Sequence, residues 1–219
     1  MKKSYIIIVV LLVLVVAIGM LTVLRKEAVL VDTTTPEKLT TVEQTADTFL
    51  VEWRADSMDR GDHDLYTQVH GMLVVSSNVS ELQRGLIVYY EVPPQFLKEN
   101  PNLLSPTLGR VVGLPGETVE IKKGKVYIND QRLDAFYGEA TKYGMNKEQW
   151  YARENKRKQT KEQEQQTEAY YNLAMPAITV EEGTIFVLVD AWWRGYDSSY
   201  FGLIPVETVK GIVLGYEES

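Results

Sequence analysis

The chain begins with a block of apolar positions unlike anything that follows it. From Tyr5 to Leu24 it reads YIIIVVLLVLVVAIGMLTVL, without a charge. As a helix rising about 1.5 Å per residue, that run would be roughly 30 Å long, the thickness of a bilayer's hydrocarbon core. The pattern predicts a transmembrane helix, with residues 1–26 as cytoplasmic tip and anchor. A cleaved secretory signal is the competing expectation, since Ala17-Ile18-Gly19 places small residues at a suitable spacing. The run, however, exceeds the ~7–15 residues of a signal peptide's apolar region and continues past that point. Lys2 and Lys3 precede it and Arg25 and Lys26 follow, so charge bias favours a cytoplasmic amino terminus only slightly. That orientation makes a single-pass protein of the cell membrane with an extracytoplasmic carboxyl-terminal domain.

Residues 27–46 are polar and Thr-rich, which predicts a juxtamembrane spacer with at most one helical turn. Residues 47–219 are expected to form the exported domain. Short runs rich in β-branched and aromatic side chains follow at Phe49–Trp53, Met72–Ser76, Leu86–Val92, Arg110–Gly113, Thr118–Ile121 and Lys125–Ile128. A second group covers Thr184–Val189 and Thr208–Leu214. Gly, Asn, Pro and Ser separate these runs, as strands and turns require, and Lys-Lys-Gly around Gly124 marks a hairpin. The fold class is mainly β. Residues 146–172 break the pattern: they lack Gly and Pro and carry opposite charges three or four positions apart. Lys and Arg alternate there with Glu and Gln, so a solvated helical insertion, about 140–175, is expected in preference to a basic binding arm.

Composition narrows the function. The 219 residues are 45% hydrophobic, with 23 basic and 30 acidic side chains and no cysteine. Disulfide scaffolds, zinc fingers and cysteine-held iron–sulfur clusters are excluded, and no metal or cofactor is expected. The net charge of −7 argues against a nucleic-acid partner. An acidic chain should also avoid anionic headgroups except where its anchor tethers it.

Four stretches, taken in order behind the apolar run, resemble the boxes of the type I signal peptidase (S26) family. Ser57-Met58 resembles the nucleophile box, and Gly85-Leu86-Ile87-Val88 the Gly-Asp-Ile-Val box. Gly109–Glu117 (GRVVGLPGE), followed by Val126-Tyr127-Ile128-Asn129, resembles the box that carries the general base. Gly183–Pro205, ending in YFGLIP, resembles the last box. The resemblance implies a signal peptidase-like β-fold with an anchor and a groove that takes an extended peptide by strand addition. It implies groove positions at Ala55, Ser57, Met58, Thr107 and Leu108. Active members cut signal peptides with a Ser nucleophile and a Lys base, whose pKa burial must lower by several units.

The departures fall on the proton-transfer residues. The base position is Gly109, the base-orienting serine falls on Gly195, and the acidic residue of the Gly-Asp-Ile-Val box is Leu86. Structural positions persist: Arg110, Asp190, Asp197 and Ser198. Asp59-Arg60-Gly61-Asp62 stands where the family has Pro-Thr-Leu. A shifted alignment anchored on Gly71 puts the nucleophile position near His63 or Asp64 instead. His63 and His70 are poor rescuers, because the family base comes from another strand. Lys122, Lys123 and Lys125 fall in a charged hairpin, where exposure is expected. Trp192-Trp193, replacing an Asn-Arg pair, reads equally as an apolar plug or a partner contact. Base-less relatives resemble the accessory proteins of Gram-positive pilus gene clusters. The leading expectation is therefore a non-catalytic protein that binds an extended segment of a pilin, sortase or other exported protein. The alternative is an active signal peptidase, a serine endopeptidase with Ser57 as nucleophile.

Overall fold

The β-branched runs pair into two sheets that share a core. The computed structural model describes residues 27–154 and 160–218. The apolar run Tyr5–Leu24 lies outside them; among the described residues, no helix is long and apolar enough to cross a membrane. The larger sheet contains β2 (Thr41–Val42), β3 (Thr48–Val51), β4 (Leu73–Ser76), β5 (Ile87–Tyr90), β6 (Thr107–Gly113), β11 (Thr184–Leu188), β12 (Ile204–Pro205) and β13 (Val209–Glu217). Its order is β12-β11-β6-β5-β13-β4-β3, with β2 joined to the end of β13. The smaller sheet is β1-β9-β8-β7-β10, built from Val29–Val31, Gln131–Asp134, Lys125–Ile128, Thr118–Lys122 and Met175–Thr179. Short helices α1 (Thr67–His70), α2 (Pro94–Glu99) and α5 (Ser198–Phe201) link strands of the larger sheet.

β6 is the central element, and all seven of its residues are buried. Leu108, Val111 and Val112 each feed a different apolar cluster. The strand starts three residues before the Arg110 boundary expected from sequence, because Gly109 reads as a breaker. Pairing with β5 overrides that local preference: Thr107 faces Tyr90 and Gly109 faces Val88. The third cluster, around Val119, Ile121, Val126 and Phe186, joins the smaller sheet to the larger.

Residues 27–46 do not form a spacer with a helical turn. β1 pairs in parallel with β9, and β2 in parallel with β13. Between them Asp32 accepts hydrogen bonds from the Thr34 and Thr35 amides, from the Thr35 hydroxyl and from the Tyr137 hydroxyl. Burial alone would raise the pKa of Asp32, but these bonds outweigh it and hold the carboxyl well below the usual range.

The described part of the insertion holds two helices. α3 spans Lys147–Glu154 and α4 spans Lys161–Tyr171, the latter opened by a capping box between Thr160 and Gln163. A Lys147–Glu168 ion pair of 2.6 Å ties them together. α4 buries only Thr167 and Tyr171.

One ion pair lies at the centre of the molecule. Arg110 Nε and Nη2 donate to the two oxygens of Asp190 at 2.7 and 2.5 Å, and Nη1 donates to the Gly85 carbonyl at 2.7 Å. The guanidinium also lies 4.8 Å from the Phe136 ring centroid. Removing one partner strands a buried charge. Arg110→Met and Asp190→Asn should each lose about 3–5 kcal/mol, read as a lower urea midpoint at unchanged slope.

Candidate functional site around Ser57

After β3 the chain runs without regular secondary structure from Glu52 to Ala55 before turning at Ser57. The Thr67 hydroxyl pins this stretch: it accepts from the Trp53 amide at 3.0 Å and donates to the Trp53 carbonyl at 2.7 Å. The Ser57 carbonyl then accepts from the Ala191 amide at 2.8 Å, one residue after Asp190. Thus the buried Arg110–Asp190 pair positions the loop that holds Ser57. Beside Ser57 lies a cavity of about 300 Å³. Ala55, Ser57, Thr107, Arg194 and Gly195 form one side of it, and Val92, Leu103 and Phe201 supply apolar surface.

Two of the five expected groove residues are elsewhere. Met58 and Leu108 are fully buried and pack with Trp53 and Leu73 in the core. For Leu108 the reason is strand alternation: Thr107 faces the cavity, so its neighbour faces the other way. His63 and Asp64, the alternative nucleophile positions, do not line the cavity. His63 is exposed, 3.6 Å from Asp59, and Asp64 pairs with Arg60 at 3.7 Å.

Ser57 itself is buried, and its hydroxyl has no hydrogen-bond partner among the described residues. The two glycines explain this. At Gly109 an added Cβ would sit 3.2 Å from Tyr90 Cε1 and 3.3 Å from Val187 Cβ, so this position faces the Tyr90 ring and offers no ionisable group. The Tyr90 hydroxyl is also buried and unpartnered. Burial, with the charge of Asp197 adding, pushes that phenol far above its ordinary value, so it stays protonated at neutral pH. At Gly195 a Cβ would lie 2.7 Å from Ser57 Cβ and 3.1 Å from both methyls of Val189. The 191–195 loop packs directly on the serine, and a side chain at position 195 would force Ser57 or Val189 to shift.

Among the described residues, no histidine or lysine lines the cavity beside the hydroxyl. Lys142 has its pKa lowered by burial, yet its Nζ donates to Thr167 at 3.1 Å within the insertion and does not line the cavity. Lys122, Lys123 and Lys125 are exposed. His70 lies against Tyr216, with ring centroids 5.0 Å apart. Among the described residues, no group of His, Asp and Glu is placed to hold a metal ion.

The retained last-box residues brace the loop. Buried Asp197 caps α5, accepting from the Ser199 amide at 2.9 Å, the Ser199 hydroxyl at 2.6 Å and the Val189 amide at 3.1 Å. Ser198 Oγ accepts from the Val187 amide at 3.0 Å. Trp192 packs against the core between the sheets, whereas Trp193 meets the insertion through Tyr143. Arg194 lines the cavity and pairs with Asp56. Sequence reasoning missed Arg194 and Tyr143, because nothing local signals an ion pair between residues 138 positions apart.

With this geometry in place, the chain can be assigned to a class. It belongs to the signal peptidase, peptidase S26, family, whose sequence profile matches residues 2–215. It is similar to a "Signal peptidase I" of Leptolyngbya laminosa, 36% identical over 29% of this chain and 31% of the relative. Two proteins of Synechocystis sp. are also similar. "Probable signal peptidase I-2" is 26% identical over 66% of this chain and 53% of its own length. "Probable signal peptidase I-1" is 28% identical over 64% and 57%. The chain thus spans little more than half of these relatives at most. The crystal structure of a signal peptidase I from Enterococcus faecalis V583 shares 26% identity over 62% of this chain and 99% of that one, with a TM-score of 0.40.

Two predictions follow from the packing here. Gly195→Ala should destabilise by about 1–3 kcal/mol, and a Ser57→Gly background should relieve much of that loss in a double-mutant cycle. Burial raises the pKa of Asp197, against the bonds from Ser199 and Val189. A carboxyl whose folded pKa exceeds its unfolded value near 3.8 loses stability as pH rises from that value to the folded pKa. The stability of the native chain relative to Asp197→Asn should therefore fall from about pH 4 upward and then level off, as measured by urea unfolding at stepped pH.

Proposed function

We propose that this chain is a membrane-anchored, non-catalytic member of the signal peptidase family that holds an extended segment of a pilin or other exported protein during pilus assembly. The observation that carries the reading is Gly109: the position of the general base presents no side chain, and among the described residues the Ser57 hydroxyl has no partner to take its proton. A serine without such an acceptor is a weak nucleophile. Peptide binding is supported by the cavity beside Ser57, with apolar surface from Val92, Leu103 and Phe201, and by the unpaired Glu52–Ala55 stretch, whose Ala55 lines it. An extended ligand beside such a stretch gains main-chain hydrogen bonds, while the cavity selects a side chain. The run Tyr5–Leu24 supports the anchor, and sortase is a second candidate partner at the same membrane surface.

An active peptidase using Ser57 is the second reading, favoured by family membership and by the place of Ser57 at the cavity wall. The two separate in one assay. The full chain in detergent, beside Ser57→Ala, is incubated with signal-peptide-bearing pre-proteins that include a pre-pilin. We expect no cleavage by either form and comparable binding by both. Specific cleavage that disappears in Ser57→Ala would overturn the non-catalytic reading.

A further inference from the structure

The segment between β9 and β10 lies outside the stretches that resemble the family's boxes, yet it touches Arg194 in the wall of the Ser57 cavity. Its contact is Tyr143, four residues before α3. Arg194 Nη2 donates to the Tyr143 hydroxyl at 3.0 Å, while Nη1 pairs with Asp56. The guanidinium lies 5.2 Å from the Tyr143 ring centroid and 4.1 Å from that of Trp193. Tyr143 in turn stacks on Trp150 of α3, with centroids 6.3 Å apart and planes 15° off parallel, and meets Trp193 edge-on at 5.1 Å.

This arrangement is held against local backbone preference. Tyr143 has φ 51°, a left-handed conformation that side chains with a Cβ rarely adopt. The next residue, Gly144, also left-handed, packs so closely on the Arg60 carbonyl that a Cβ would lie 2.4 Å from its oxygen. The insertion is therefore seated on the turn that follows Ser57, and Tyr143 is aimed at Arg194.

Arg194 closes a bracket around Asp56 and Ser57. The Ala191 amide bonds the Ser57 carbonyl at 2.8 Å, the Arg194 amide bonds the Ala191 carbonyl at 2.8 Å, and the Arg194 guanidinium returns to Asp56. Arg194 and Gly195 are themselves part of the cavity wall. A hydrogen bond from a guanidinium is stronger than one between neutral groups and fixes its direction. Loss of the Tyr143 acceptor should free this wall while leaving the two sheets untouched.

We propose that Tyr143 is a positioning residue for the Ser57 cavity. Through Arg194 it fixes the 191–195 wall, so that the helical insertion sets the size of the side chain the cavity accepts. The ligand half of this statement rests on the peptide-binding reading; the positioning half does not.

The test uses the full chain in detergent micelles and Tyr143→Phe, which keeps the ring and removes the acceptor. Amide exchange is read at Ala191 and Arg194, with Tyr127 and Ile128 of β8 as controls. Binding is read with two labelled extended peptides that differ only by Ala or Phe at one central position. We expect an unchanged melting temperature, exchange at Ala191 and Arg194 faster by about tenfold, unchanged exchange in β8, and a shifted Ala-to-Phe preference. Arg194→Gln, which also loses the Asp56 pair, should show the larger effect. Native exchange rates at Ala191 and Arg194 in Tyr143→Phe would overturn the positioning role, as would acceleration spread evenly over both sheets. Local acceleration with an unchanged preference would overturn the size-setting role. If neither peptide binds either protein, the peptide-binding reading fails, and the exchange rates alone decide the role of Tyr143.

Discussion

A guanidinium and a carboxylate can leave water together only if each satisfies the other, and the Arg110–Asp190 pair meets that condition with two parallel hydrogen bonds. Much of the molecule is arranged around it. Arg110 reaches from the central strand β6 to the carbonyl before β5 and lies beneath the Phe136 ring, which follows β9 of the smaller sheet. Asp190 lies two residues after β11 and hands the chain to Ala191, whose amide holds the Ser57 carbonyl. Arg60, 3.8 Å from the same carboxylate, brings in the turn after Ser57. The pair therefore sets both the approach of the two sheets and the placement of the serine.

On that frame Gly109 presents no ionisable side chain, and Gly195 packs so closely on Ser57 that an added Cβ would lie 2.7 Å from the serine Cβ. Among the described residues, the buried hydroxyls of Ser57 and Tyr90 have no hydrogen-bond partner, an arrangement that costs stability rather than contributing it. The cavity beside Ser57 is lined by apolar Val92, Leu103 and Phe201 together with Arg194.

The sequence made some of this legible and hid the rest for physical reasons. Runs such as Lys125–Ile128 and Thr184–Leu188 announce themselves by their β-branched residues and their flanking turns. Gln131–Asp134 and Met175–Thr179 do not, the first being mostly polar and the second an interrupted edge, and their strand character comes from their neighbours. Val29–Val31 and Thr41–Val42 were indistinguishable from a linker because their partners lie about a hundred or more residues away. At the site, the box residues Arg110, Asp190, Gly109 and Gly195 could be located from the letters alone. The inward turn of Met58 and Leu108, and the reach of Tyr143 to Arg194, depend on strand phase and long-range packing that no local pattern encodes.

The first described stretch has a mechanical consequence. Glu27 is clasped by the Tyr127 hydroxyl at 2.5 Å and by Arg132 Nε at 3.0 Å; β1 then lies along β9, and β2 along β13. Tension arriving from the preceding residues is not taken up by a slack tether. It is borne first by the clasp and the β1–β9 pair, then by the Asp32 turn, and only afterwards by the strand beside β13. A pull on Glu27 is thus spread over both sheets, because β1 belongs to the smaller one and β2 to the larger.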